Sequence, residues 1–265
     1  MLEEQIIPRL LARSGAPSAI FLKRFHSYGL GESHVDQLLT GIEEMVPDGS
    51  VKLGFRAHYP QIETKLTVRG RDHADIQAKL GPVEAEVRKR LGNFILAEGD
   101  QTLEDVVLAE LTRAEASLAL VETFTAGAIA ARLAHLPGAE HIFRRGVIAR
   151  DLDRVPSAVG LSQLLLADEM TQEKTEAVAQ AARAAAGATH ALAVLIELDT
   201  GADRIDLGGT VWIGIAHAGG VAVRRSRIVG GREWVRLGAV ELGLDCLRRF
   251  LQNLPVVERI DFEKV

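Results

Sequence analysis

The densest run of residues able to do chemistry is Glu122-Thr123-Phe124-Thr125-Ala126-Gly127. An apolar stretch (Ser-Leu-Ala-Leu-Val, residues 117–121) leads into it, and an amphipathic, alanine-rich stretch follows. A strand that turns into a helix in this way aims backbone N–H groups and hydroxyls at whatever lies above the helix start, which suits a phosphate or a carboxylate. The same pattern also describes an ordinary strand-to-helix turn capped by Thr125. Arginines are the second feature. Arg144, Arg145, Arg150 and Arg154 crowd one strand-and-turn segment, Arg224, Arg225 and Arg227 share another, and Arg232 and Arg236 open the last helix. Guanidinium groups bind phosphate bidentately. Arg232, beside Gly230 and Gly231, is the best single candidate, since a helix N-terminus adds its own dipole. Solvated strand faces and ion pairs account for the same arginines without a ligand.

Other chemistry is thin. His135, His141, His190 and His217 include no i, i+4 pair, so no zinc site is expected. Asp199, Asp203 and Asp206 fall in a polar loop that suits either solvent or a hydrated cation. Cys246 is the single cysteine, which excludes an internal disulfide. Trp212 and Trp234 read as core or interface anchors. No cofactor is implied.

Two domains must position these residues. In residues 1–99 a leading helix is expected over 2–13 and a strand over 18–26. A helix over 32–45 follows, then a hairpin of VKLGFRAHY and IETKLTVRG, a helix over 72–91 and a short strand NFILA. That β-α-β-β-α-β order is the split β-α-β pattern, with two helices over one face of an antiparallel sheet. Residues 100–255 form a larger α/β domain, and 256–265 are assigned to a tail. Thr102 and Asp105 start its first helix. Strands are expected over 117–122, 142–149, 190–197, 210–217 and 220–229. Helices are expected over 127–135 and 172–186, in short pieces over 152–167, and from about 231 to 253. Early helix–strand alternation implies a sheet covered by helices on both faces, and the late hairpin makes it mixed.

Charge and composition set outer bounds. The chain has 265 residues, 31 basic and 36 acidic, a formal charge of −5, and 47% hydrophobic content. That excludes a disordered chain and argues against nucleic-acid binding by bulk positive charge. No membrane span is expected. Residues 1–20 carry Glu3, Glu4, Pro8 and Arg13 and no signal-peptide core, so a cytoplasmic protein is expected. Residues 100–265 hold sixteen arginines, two lysines (Lys174 and Lys264) and no tyrosine.

Val121-Glu122-Thr123-Phe124-Thr125-Ala126-Gly127 resembles the Ala-Glu-Ser-Cys-Thr-Gly-Gly turn of the competence-damage-inducible CinA family, in its carboxyl-terminal nicotinamide-nucleotide amidohydrolase domain. The resemblance continues in Leu136-Pro137-Gly138, Phe143, Arg145-Gly146-Val147, Gly209-Thr210-Val211-Trp212 and Gly230-Gly231-Arg232-Glu233. Gly29-Leu30-Gly31-Glu32-Ser33 and Leu91-Gly92-Asn93-Phe94-Ile95 resemble the family's KH-type middle domain, and Thr102 to Val107 its linking helix. This KH-type domain is formally neutral, with no aromatic-rich basic groove, so no nucleic-acid partner is inferred from its fold.

The resemblance implies deamidation of nicotinamide mononucleotide to the nicotinate form plus ammonia, by a serine helped by a tyrosine and a lysine. Those three positions fall on Thr123, Arg150 and Val155. The family's Thr-Gly-Ile-Ala-Gly-Pro loop falls on Leu195-Ile196-Glu197-Leu198-Asp199-Thr200. Thr123 keeps a hydroxyl, Arg150 is a very poor base, and Val155 cannot move a proton. Arg154 is a cation but cannot deprotonate Thr123, and Lys174 reads as an exposed helix lysine. Independently of register, a domain without tyrosine cannot supply the family's tyrosine. The expectation is a deamidase-inactive or weak pseudoenzyme that survives as a nucleotide-binding or homo-oligomer-forming module. Thr123 is its degenerate catalytic position, with Glu122, Thr125, Gly127, Arg145, Arg150, Gly230 and Arg232 on the ligand. One alternative is an active amidohydrolase with Thr123 as nucleophile and Glu122 as base. The other is a structural partner of a separately encoded protein like the family's amino-terminal, molybdopterin-binding-like domain, which is linked to ADP-ribose pyrophosphatase activity.

Overall fold

Alternation of period two decides the first unit: on the strand Gln61–Gly70 every second side chain from Ile62 to Val68 is buried. The computed structural model describes residues 5, 6, 9, 19–162, 169–199 and 208–263. Backbone contacts divide the chain into two units, Met1–Asp100 and Gln101–Val265. The helix expected over 2–13 lies outside the described residues apart from Gln5, Ile6 and Arg9. Asp203, Asp206 and the end of the 152–167 segment lie outside them too.

In the first unit β1 (Ala19–Tyr28), β2 (Val51–His58), β3 (Gln61–Gly70) and β4 (Ile95–Glu98) form one antiparallel sheet in the order β2-β3-β1-β4. Two helices, α1 (Glu32–Leu38) and α2 (His73–Leu91), bury Val35, Leu80, Val83, Val87 and Leu91 against Phe25, Leu66 and Val68. The order is the split β-α-β pattern. The helix expected to reach residue 45 ends at Leu38 instead. Gly41 takes φ +80, which breaks the α run, and Glu43–Met45 makes a separate 3-10 turn. Asp72 caps α2 by accepting the Asp75 N–H at 2.8 Å.

The second unit begins with α3 (Leu103–Arg113), opened by a reciprocal Thr102–Asp105 capping box. It continues through β5 (Leu118–Thr123), α4 (Ala128–Ala134), α5 (Ala139–Ile142), β6 (Phe143–Ala149) and α6 (Val155–Val159). Then come α7 (Gln172–Ala186), β7 (His190–Leu198), β8 (Gly208–His217), β9 (Gly220–Val229) and α8 (Arg232–Leu251). The sheet order is β6-β5-β7-β8-β9, with β6, β5 and β7 parallel and the β7-β8-β9 pairs antiparallel. The mixed sheet is therefore as expected, and the ends of β5, β6, β7 and β9 share one edge with the start of β8. α3, α4 and α8 cover one face and α6 and α7 the other. α8 lies so close to the sheet that a Cβ on Gly243 would stand 2.7 Å from Val194 Cγ2. Among the described residues no helix is long and apolar enough to cross a membrane.

Residues 256–263, read from the sequence as a tail, pack against this unit. Buried Arg224 donates to the Val256 carbonyl at 2.7 Å and to Glu263 at 2.8 Å, Ile260 is buried, and Ile228 and Glu263 form a β-bridge. The reason is that β9 is an edge strand, whose unpaired backbone gains from being covered.

In the first unit Glu98 ties β4 to its neighbours, taking Arg88 at 2.7 and 2.8 Å and Lys23 at 2.6 Å. The Arg88 hydrogen bonds, with Lys23 adding to them against the cost of burial, hold its carboxyl at about 2 rather than 4.5. A depressed folded pKa contributes stability that is complete above about 4.5 and is lost as pH falls toward 2. Glu98→Gln should therefore flatten that part of the acid dependence, measured as the change in urea midpoint between pH 5 and pH 2.5. An unchanged slope would contradict the assignment.

Candidate functional site

β5 stops pairing with β7 at Glu122–Val194, and the chain leaves the sheet at Thr123. Consecutive strand residues face opposite sides. Thr123 faces the α6–α7 layer. It is 0% exposed, and its Oγ1 accepts the backbone N–H of Ile196 at 2.8 Å. The hydroxyl thus supplies the acceptor that the departing strand no longer offers to β7. Glu122, also 0% exposed, faces the α4–α8 layer. Its carboxylate accepts the Thr125 hydroxyl at 2.6 Å, the Ile129 N–H at 3.1 Å and the Ala130 N–H at 2.8 Å.

Those two N–H groups are orphan donors in the first turn of α4, so Glu122 does the capping expected of Thr125. Thr125 spends its hydroxyl on Glu122 because α4 starts three residues later, after Gly127. The turn itself is tight: the Thr125 N–H reaches back to the Thr123 carbonyl at 2.8 Å, and Phe124, Ala126 and Gly127 take φ of +65, +59 and +81. Only glycine adopts such backbone freely, and a Cβ at Gly127 would also approach Ile148 Cδ1 at 2.9 Å. Arg132, bonded to Glu104 at 2.7 Å and Glu241 at 2.8 Å, fixes α4 to α3 and α8.

The other expected residues scatter. Arg150 lies beside the turn, its guanidinium 5.0 Å from the centre of the Phe124 ring and 3.1 Å from Asp151. Arg145 pairs in register with Ala119, four residues upstream of Thr123, and donates to the Ala158 carbonyl at 2.9 Å. Gly230 and Arg232 share the strand-end edge, but at the end of β9, three strands from β5. Three strand spacings are roughly 14 Å. Val155 is fully buried in one apolar cluster with Met170, Leu195 and Trp212. Lys174 donates to the Glu169 carbonyl at 2.9 Å.

Sequence reasoning missed the polar cluster that closes the Thr123 face. Glu197 accepts the Trp212 indole N–H at 2.9 Å and the Met170 N–H at 3.0 Å, while Arg225 stacks 5.5 Å from the Trp212 ring centre. Asp199, considered for a cation, instead takes Arg227 at 2.6 and 3.0 Å and the Gly208 N–H at 2.8 Å. The Arg227 hydrogen bonds hold its carboxyl below the usual range. The Glu197-x-Asp199 spacing, two carboxylates two residues apart where β7 ends, was the available signal. Among the described residues no three His, Cys, Asp or Glu side chains are grouped to hold a metal ion.

Thr123→Val keeps the shape and removes the acceptor, leaving the Ile196 N–H buried and unpaired. That should cost about 1–3 kcal/mol, read from urea unfolding, whereas a cost near zero would mean the hydroxyl bond is dispensable.

Residues 100–251 match the family model described as the CinA C-terminal domain, and residues 23–97 match that of the damage-inducible protein CinA KH domain. A CinA-like protein of Frankia casuarinae is 33% identical over 258 residues, covering 96% of this chain and 60% of that protein. A CinA-like protein of Syntrophotalea carbinolica is 33% identical over 262 residues, covering 96% and 61%. The chain thus spans about 60% of the length of the curated relatives it matches. The solved competence or damage-inducible protein from Enterobacter asburiae aligns with a TM-score of 0.50 at 19% identity, covering 57% of this chain and 99% of that one, which speaks to the fold alone. With both units matched in order and the turn at Glu122–Gly127 inside the larger match, the chain belongs to the CinA family.

Proposed function

We propose that the second unit binds nicotinamide mononucleotide or a related nucleotide at its strand-end edge without deamidating it. The observation that carries the non-catalytic half is the state of Thr123: its hydroxyl is buried and committed to the Ile196 N–H. A nucleophile needs an adjacent base and access to substrate. Glu122, the base that the alternative reading requires, is on the opposite face of the sheet and takes three hydrogen bonds there. At the positions the family resemblance gives to tyrosine and lysine stand Arg150, always charged, and Val155, packed in the core. Support for binding comes from exposed Arg150 beside the turn and exposed Arg232 in the first turn of the 20-residue α8, on the same edge. Both suit a phosphate.

Calorimetric titration with nicotinamide mononucleotide, run beside an ammonia-release assay, tests both halves. Binding that weakens in Arg150→Ala, with no ammonia release, is expected. Turnover of about 1 per second or faster would overturn the non-catalytic reading, and its loss in Thr123→Ala would establish the hydroxyl as nucleophile. Absence of binding at millimolar nucleotide would overturn the ligand.

A further inference from the structure

A second opening lies at the other end of the same sheet. Its floor is where β5 and β7 begin, and its walls come from the end of α3, from α5, from the first residues of β6 and from the loop after α7. The cavity is about 500 Å³, within the range of roughly 300–1,000 Å³ that small-molecule sites occupy. β5 separates it from Thr123 by five residues, or about 16 Å of strand, so it is distinct from the strand-end turn.

Its hydroxyls are already hydrogen-bonded within the fold. Ser117 and Thr189 clasp each other: the Thr189 N–H reaches Ser117 Oγ at 3.0 Å, the Ser117 N–H reaches Thr189 Oγ1 at 2.7 Å, and Thr189 Oγ1 donates to the Ser117 carbonyl at 3.0 Å. Thr112 donates its hydroxyl to the Leu108 carbonyl at 2.8 Å. The floor is therefore rigid, and recognition falls to charge.

Two charges of opposite sign face the space. Arg144 on β6 is exposed and has no hydrogen-bond or ion-pair partner among the described residues. Glu115, just beyond α3, is exposed and lines the same cavity. The negative ends of two long helices add to Glu115: α3 ends at Arg113 and α7 at Ala186, both at this rim. His141, also lining the cavity, stands 3.6 Å from Glu140. A simple anion would meet Arg144 but also Glu115 and two helix C-termini. A simple cation would meet Arg144. A molecule carrying both charges satisfies both side chains. We propose that this cavity binds a free α-amino acid as its zwitterion, the carboxylate on Arg144 and the ammonium toward Glu115 and the carbonyl ends of α3 and α7, with the remaining volume left for the side chain.

The test is calorimetric titration of the full chain with glycine, L-serine, L-glutamine and L-leucine. The tightest binder is then compared with its N-acetyl form, which lacks the ammonium, and its α-amide, which lacks the carboxylate. At least one amino acid should bind, and each blocked form should bind at least tenfold more weakly. Arg144→Ala and Glu115→Gln should each weaken binding at least tenfold, with melting temperatures near that of the parent because both side chains are exposed. Failure of all four amino acids to bind would overturn the proposal. So would an N-acetyl form that binds as well as its parent, or undiminished binding by Arg144→Ala.

Discussion

When β5 leaves the sheet, it strands backbone donors on both sides of itself, and two consecutive side chains satisfy them. On one face the Ile196 N–H of β7 loses its strand neighbour and is taken by the Thr123 hydroxyl. On the other, the first turn of α4 presents N–H groups with no carbonyl to bond, and the Glu122 carboxylate takes two of them. Buried donors left open cost about 1–3 kcal/mol each, so both side chains are held in place by the backbone they serve. The tight turn through Phe124, Ala126 and Gly127 follows from the same exit, since α4 must start within a few residues of Glu122 for the carboxylate to reach it.

This division of labour bears on chemistry. A hydroxyl that completes a ladder is a poor candidate to leave it and attack a substrate, and the Glu122 carboxylate, on the other face of the sheet, is held there by two helix N–H groups and the Thr125 hydroxyl. The surroundings agree with a structural use of the turn. Val155, Met170, Leu195 and Trp212 close one side with apolar packing, and Glu197 and Asp199 are each bound by named donors at the edge. The family's two domains are matched in both units.

Much of the fold was legible because it rests on local rules. The Thr102–Asp105 box, the hairpin between β2 and β3, the mixed sheet and the start of the last helix all follow from spacing within a few residues. The turn at Glu122–Gly127 was legible as a strand-to-helix junction too. What it does was not, because the partner of Thr123 lies 73 residues away, and no local pattern announces it. Capping by Glu122 rather than Thr125 escaped for a related reason: a long side chain at the end of a strand can reach over the turn, whereas capping rules look one residue ahead of the helix. The arginines divided the same way. Arg145, Arg224 and Arg227 found a carbonyl or carboxylate within the fold, and only a three-dimensional account separates them from Arg144.

Amide hydrogen exchange at Ile196 measures the bond on which this account turns. The account predicts protection of the Ile196 N–H comparable to that of Val194 on the same strand, and its selective loss in Thr123→Val. Rapid exchange at Ile196 in the unaltered chain would contradict it, because the Thr123 hydroxyl would then be free for other work.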